Sequence, residues 1–232
     1  RLLTLLGMGG LGKTRLSLQV AAEALDNFPD GAWLIDLAPI RDASLVPSAV
    51  AQELGVQEEP GRALTQTLAA HLKSRKLLII LDNCEHLVHA CASLANALLQ
   101  SAQDLRIIAT TREALRIRGE QTYPVLPLPL PGRTAGAAEL AKSDAVQLFV
   151  DRSRLHKPGF ELTEKDAPVI AELCARLEGI PLALELAAAR MRSLSLAEIN
   201  TRLRDRFKLL TGGGRLLMER QQTLRALVGW SY

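Results

Sequence analysis

Short apolar runs alternate with longer amphipathic stretches over the first half of the chain. Leu2 to Leu6 is an uninterrupted apolar run that stops at Gly7, the pattern of a buried strand, and a helical pattern follows from Gly12 to about Leu25. The turn signal Pro29-Asp30-Gly31 introduces a second strand, Ala32 to Leu37. Helical segments near 44–54 and 64–74 lead to a third strand, Lys76 to Leu81, ending at Asp82. A helix near 85–100 precedes the strand Leu105 to Ala109, and a fifth strand is expected near Tyr123 to Leu126. Apolar strands that alternate with helices predict an α/β fold whose parallel sheet is covered by helices on both faces.

The texture changes after Pro124. From Pro124 to Gly132 nearly every second residue is proline, which removes donors and fixes φ, so this stretch reads as an extended linker. From Ser143 onward the pattern is helical: Thr163 and Asp166 are spaced as a capping box, and Ile170, Leu173, Cys174 and Leu177 form one apolar face. Gly179 closes that helix and Pro181 opens the next. The expected organisation is an α/β domain at 1–132, a small helical domain at 133–210, and a hinge at Thr211-Gly212-Gly213-Gly214 leading into a third unit over 211–232. The chain opens on Arg1 and stops in apolar sequence with no helix stop signal, which suggests a piece of a longer protein.

Composition changes this picture only slightly. Aromatics are 3% of the 232 residues, so the core must be aliphatic, and a net charge of +3 does not by itself argue for a nucleic-acid partner. Three cysteines, Cys84, Cys91 and Cys174, make no disulfide framework and fit a reducing cytoplasm. No signal peptide or membrane-spanning apolar run is visible.

The chemistry concentrates in four places. Gly7-Met8-Gly9-Gly10-Leu11-Gly12-Lys13-Thr14 fits the phosphate-loop pattern GxxxxGK[ST] and lies between a strand and a helix, as that function requires. Glycines let backbone N–H groups turn inward around a phosphate chain, and the helix start adds its positive dipole end. Lys13 is placed to reach the β-phosphate of ADP or the β- and γ-phosphates of ATP, and Thr14 to ligate Mg2+, with Arg15 completing the cofactor-binding set. Asp82, at the C-terminal end of a buried strand, can hold the magnesium through water. Asn83 stands where many hydrolytic ATPases have a second acid; an amide can orient a water but cannot take its proton, and Glu85 is the nearest spare carboxylate. Arg112, in Thr110-Thr111-Arg112 after the fourth strand, can touch a γ-phosphate. In Gly179-Ile180-Pro181-Leu182 the proline ring is flat and apolar enough to pack on adenine, although on these residues alone a helix stop and start is the better reading.

Two other features are weaker. Cys84, His86, His89 and Cys91 resemble a metal set, but at helical spacing the cysteines and histidines point to nearly opposite faces and cannot close a tetrahedron. The basic residues of 201–232, Arg202, Arg204, Arg206, Lys208, Arg215, Arg220 and Arg225, read more simply as a solvated face than as a DNA contact.

Taken together, GMGGLGKT, LLIILDNCEH, ATTRE and GIPLALELAAAR resemble, in order and spacing, the NB-ARC branch of the STAND ATPases. The wording is most similar to bacterial transcriptional regulators of the LuxR and SARP types. The resemblance implies a five-stranded sheet with the sensor strand between the phosphate-loop strand and the Asp82 strand, and a helical second domain closing over the nucleotide. It also implies self-association in the ATP state, a winged-helix domain beginning in 211–232, and DNA-binding and helical-repeat domains outside this chain. It gives Arg112 the role of γ-phosphate sensor and Pro181 that of adenine contact. The function expected is an ATP/ADP-operated switch with slow hydrolysis. The alternatives are an AAA+-like hydrolase or motor, a P-loop kinase, or a DNA-binding module without enzymatic activity. A GTPase is disfavoured, because no asparagine in the chain is followed by lysine.

Overall fold

The computed structural model describes residues 1–132 and 136–210, the last seven of them by backbone alone. The hinge and third unit expected at 211–232, with most of the basic stretch, lie outside the described residues. The chain divides into two compact units, Arg1–Val125 and Leu126–Tyr232.

The first unit is a five-stranded sheet, β1 (Leu2–Leu6), β2 (Ala32–Asp36), β3 (Leu78–Asp82), β4 (Arg106–Thr111) and β5 (Glu120–Pro124), in the order β2-β3-β4-β1-β5. Every pairing is parallel. β4 thus lies between β1 and β3, the arrangement the resemblance implied. Helices α1 (Lys13–Ala24), α2 (Val46–Glu53), α3 (Leu64–Leu72) and α4 (Val88–Ser101) connect the strands.

Strand alternation sends successive side chains to two different cores. Leu2, Ile35, Ile79, Leu81, Ile107 and Ala109 join a large cluster with Val50 of α2, Leu68 of α3 and Leu98 of α4. Leu5, Leu78, Ile80 and Ile108 form a smaller cluster with Ala21 of α1. Both faces are therefore buried, which is why the inner strands read as continuous apolar runs. The same alternation fixes the site: counting on from Leu78 and Ile80, Asp82 falls on the α1 face, and counting on from Ile108, so does Thr110.

Two boundaries differ from the sequence reading. The fifth strand is Glu120–Pro124, three residues earlier than expected at its start, and it is a largely exposed edge with no apolar run to mark it. The helix expected near 85–100 opens as a separate 3-10 turn, Cys84–His86, before α4 begins at Val88.

The second unit opens with residues 126–132 outside any helix or strand and continues in helices: α5 (Ala137–Leu140), α6 (Asp144–His156), α7 (Ala167–Arg176), α8 (Pro181–Ala189) and α9 (Leu196–Leu210). Its core holds Phe149, Ile170, Leu173, Cys174, Leu184 and Ile199. Thr163 and Asp166 do not form the expected capping box on α7: the N-cap is Asp166, without a side-chain cap bond, and Thr163 Oγ1 instead donates to Asp166 Oδ2 at 2.6 Å and accepts from Asp166 N at 3.3 Å in the turn just before the helix. A reciprocal box, unmarked in the sequence reading, does start α9: Glu198 N donates to Ser195 Oγ at 3.3 Å and Ser195 N to Glu198 Oε2 at 2.8 Å. No helix among the described residues is long and apolar enough to cross a membrane.

Candidate nucleotide site

The loop Gly7–Gly12 leaves β1 and turns into α1. Gly7 N donates to Thr111 O at 3.2 Å, tying the loop's start to the end of β4. A Cβ at Gly7 would stand 2.9 Å from Leu11 Cδ1 and 3.0 Å from Val125 O, so a side chain there would force both neighbours to shift. Gly12 has φ 85° and serves as the N-cap of α1, a left-handed conformation that glycine adopts without steric cost. No side chain caps the first turn of α1, whose N–H groups and dipole favour an anion.

Lys13 is only 8% exposed. Its Nζ donates to the carbonyls of Gly7 and Met8 at 2.8 and 2.9 Å, so the side chain folds back over the loop. Burial holds its ammonium below the ordinary lysine range; Glu85 opposes that shift, Arg112 adds to it and Asp82 opposes it. Glu85, Arg112 and Asp82 are thus all close enough to act on the Lys13 charge.

Asp82 is 4% exposed and centres a polar network. Thr14 Oγ1 lies 2.9 Å from both of its carboxylate oxygens. Thr110 Oγ1 donates to Oδ1 at 2.6 Å, and Asn83 Nδ2 to Oδ2 at 3.0 Å. A buried carboxylate requires such donors. Asn83 has φ 63°, a left-handed conformation that asparagine tolerates better than most residues. Its backbone N–H donates to Thr110 Oγ1 at 3.0 Å and its Nδ2 also reaches Asp36 Oδ1 at 3.3 Å. Two carboxylates can only accept, so they fix the amide nitrogen toward themselves and turn Asn83 Oδ1 the other way.

Glu85 follows in the 3-10 turn. Its Oε1 is 3.4 Å from Arg112 Nε, and its Oε2 is buried without a hydrogen-bond partner. Arg112 Nη2 lies 3.9 Å from where a Gly9 Cβ would stand, so the guanidinium rests beside the loop. Gly7, Gly9, Gly10, Leu11, Gly12, Lys13, Thr14, Asp82, Asn83, Glu85 and Arg112 thus come together at the C-terminal edge of the sheet. Arg15, one residue further along α1, is exposed. Pro181 belongs to the second unit, where it is the first residue of α8 after an extended Ile180.

Sequence reasoning missed Thr110 and Asp36. Thr110 lies inside the quoted ATTRE run, yet only its burial beside β3 gives it a role. Asp36 is the register partner of Asp82 on the neighbouring strand. The cysteines hold no metal set with the histidines: Cys84 and Cys91 both point into the core. No cluster of three or more His, Cys, Asp or Glu suited to a metal occurs among the described residues. The oxygen pair of Thr14 and Asp82 does suit a hard cation that takes its remaining ligands from water and phosphate.

A protein of Mycobacterium tuberculosis that carries the name HTH-type transcriptional regulator is 43% identical over all 232 residues, which make up 25% of its length. The chain thus spans about a quarter of that curated relative. Among solved structures, Drosophila ORC bound to DNA superposes with a TM-score of 0.57 at 14% identity, covering 90% of this chain and 61% of that one. A signal transduction ATPase with numerous domains and a tetratricopeptide-repeat sensor, from Pyrococcus horikoshii, gives 0.52 at 16%, covering 90% and 30%. These likenesses establish a P-loop NTPase-like fold. The NB-ARC domain family matches residues 1–118, the phosphate loop, the Asp82 strand and the Arg112 strand included, and the chain belongs to that family.

Proposed function

We propose that this chain is an ATP/ADP-operated switch, with slow hydrolysis, inside a signal-responsive transcriptional regulator of the bacterial cytoplasm. The observation that carries the reading is the assembly of Lys13, Thr14, Asp82 and Arg112 around one glycine loop at an uncapped helix start. In this reading Lys13 leaves the Gly7 and Met8 carbonyls for the β- and γ-phosphates, while the backbone of Gly9 to Gly12 cradles the phosphate chain. Thr14 and Asp82 hold Mg2+, which when bound supplies positive charge to the phosphate oxygens. Arg112 meets the γ-phosphate, and Arg15 and Pro181 complete the nucleotide contacts, Pro181 against adenine.

Asn83 explains the slow turnover. Its amide can accept from and orient a water but cannot remove a proton, and Glu85 is engaged with Arg112. A dedicated arginine finger contributes about 10³–10⁵ in rate. Arg112, whose guanidinium rests beside the loop, is proposed as a sensor and not as a finger, so turnover should fall below the ~1 s⁻¹ at the low end of ordinary enzymes. The regulator context rests on the 43% identical relative; self-association with ATP and the DNA-binding and helical-repeat domains outside the chain rest on the family resemblance.

The test is calorimetric titration of the full-length protein with ADP and a non-hydrolysable ATP analogue, together with phosphate release and light scattering. Binding of both, turnover below about one per second and a change in mass with the ATP analogue alone support the switch. Fast turnover with no ATP-dependent change in mass or shape favours the AAA+-like hydrolase instead.

A further inference from the structure

We infer that Glu85 sets the preference between ADP and ATP, by competing with the γ-phosphate for the Arg112 guanidinium. The inference rests on the nucleotide-switch reading and goes further by naming the residue that opposes ATP. Arg112 Nε pairs with Glu85 Oε1 at 3.4 Å, and the same guanidinium rests beside Gly9 of the phosphate loop. Arg112 is 55% exposed and able to move; Glu85 is 23% exposed, and its second oxygen is already buried with no partner.

The consequence is asymmetric. An incoming γ-phosphate attracts Arg112, but taking it strips Glu85, only 23% exposed, of the guanidinium it is paired with. Leaving a desolvated charge uncompensated is costly. ADP makes no such demand, because it lacks the phosphate that competes for the arginine, and the pair stays intact beneath it. Glu85 therefore weakens ATP binding while leaving ADP binding nearly unchanged. A ligand shifts an equilibrium only through its differential affinity for the two states, and this pair supplies such a differential.

The test compares affinities of the full-length protein for ADP and for β,γ-imido-ATP by displacement of a fluorescent ADP derivative. A non-hydrolysable analogue removes any part Glu85 plays in catalysis. Glu85→Gln keeps the size of the side chain and removes its charge. It should tighten the ATP analogue about two- to fivefold, the scale of a partly exposed ion pair, with ADP affinity unchanged within error. Glu85→Ala should act in the same direction. In an Arg112→Ala background the gain from Glu85→Gln should disappear, because nothing is left to compete for. An unchanged ATP/ADP ratio in both Glu85 variants overturns the inference, and so does a gain that persists without Arg112, which would mean simple repulsion. Failure of the wild-type protein to bind either nucleotide would instead reject the switch reading itself.

Discussion

Thr110→Val tests whether the Asp82 network is a designed support for the site. Valine matches threonine in shape and suits a strand, so the change removes little besides the hydroxyl. That hydroxyl donates to Asp82 Oδ1 at 2.6 Å and accepts from Asn83 N at 3.0 Å, in a position 1% exposed. Losing a hydrogen bond to a charged group costs about 1.5–3 kcal/mol, and leaving a buried donor unpaired costs about 1–3 kcal/mol. Some relaxation, and the better strand propensity of valine, offset part of this, so the net loss should be about 2–4 kcal/mol. Thr111→Val is the internal control. Thr111 is also buried, but its hydroxyl takes part only in a long 3.4 Å bond from Glu113 N, and its loss should stay below about 1 kcal/mol. Urea denaturation followed by circular dichroism reads both, and equal m-values would show that the change lies in stability. If Thr110→Val is no more destabilising than Thr111→Val, the network does not hold Asp82 and the account of the site's support fails.

Further expectations follow from the same geometry. Lys13→Ala should abolish most ATP affinity in calorimetry without lowering the melting temperature of the free protein, because the buried ammonium is disfavoured by desolvation. The sign follows from linkage: a lysine whose folded pKa is depressed weakens the fold while protonated, and that penalty is relieved as pH rises from the folded value toward the unfolded 10.5. The stability gap between Lys13→Ala and wild type should therefore narrow at alkaline pH. Gly179→Ala should be far more destabilising than Gly55→Ala: both have positive φ, but only at Gly179 would the Cβ meet backbone, 2.2 Å from Leu128 O. Thermal melts should show about 1 kcal/mol for Gly55→Ala and several times that for Gly179→Ala. Arg112→Ala should bind ADP nearly normally yet show no ATP-dependent change in light scattering. Burial pushes the Cys174 thiol up to about 12, so it should resist alkylation at neutral pH until the protein is unfolded.

The sheet and the phosphate loop were legible because each has a local signature. A strand buried on both faces must be apolar at every position, as Leu78 to Leu81 is, and a loop that wraps phosphate must be built from glycine. The fifth strand lacked that mark. Glu120–Pro124 is an exposed sheet edge that carries Glu, Gln, Thr and Tyr, so a search for apolar residues slid forward to Val125 and Leu126. Asp36 and Thr110 were invisible for a different reason. Their roles come from neighbours across the sheet, the register Asp36↔Asp82 and the packing of β4 beside β3, and no spacing along the chain records either. The Ser195–Glu198 box was readable, since its S-x-x-E spacing stands in the sequence.

The residues proposed to grip ATP are already engaged with one another: Lys13 with loop carbonyls, Thr14 with Asp82, Arg112 with Glu85. Binding ATP is therefore an exchange of partners, and each new contact is worth only its surplus over the one it replaces. Turning a switch from about 1:99 to 99:1 needs roughly 5.5 kcal/mol of differential binding. Hydrogen bonds to charged groups contribute about 1.5–3 kcal/mol each before any such exchange is subtracted. The two side chains proposed to meet the γ-phosphate, Lys13 and Arg112, reach that figure only if nothing is lost in the exchange. The γ-phosphate alone should therefore bias the protein without committing it, and full commitment must draw on a second input. Under the proposed switch reading, that division would let ATP permit the change and an outside signal complete it.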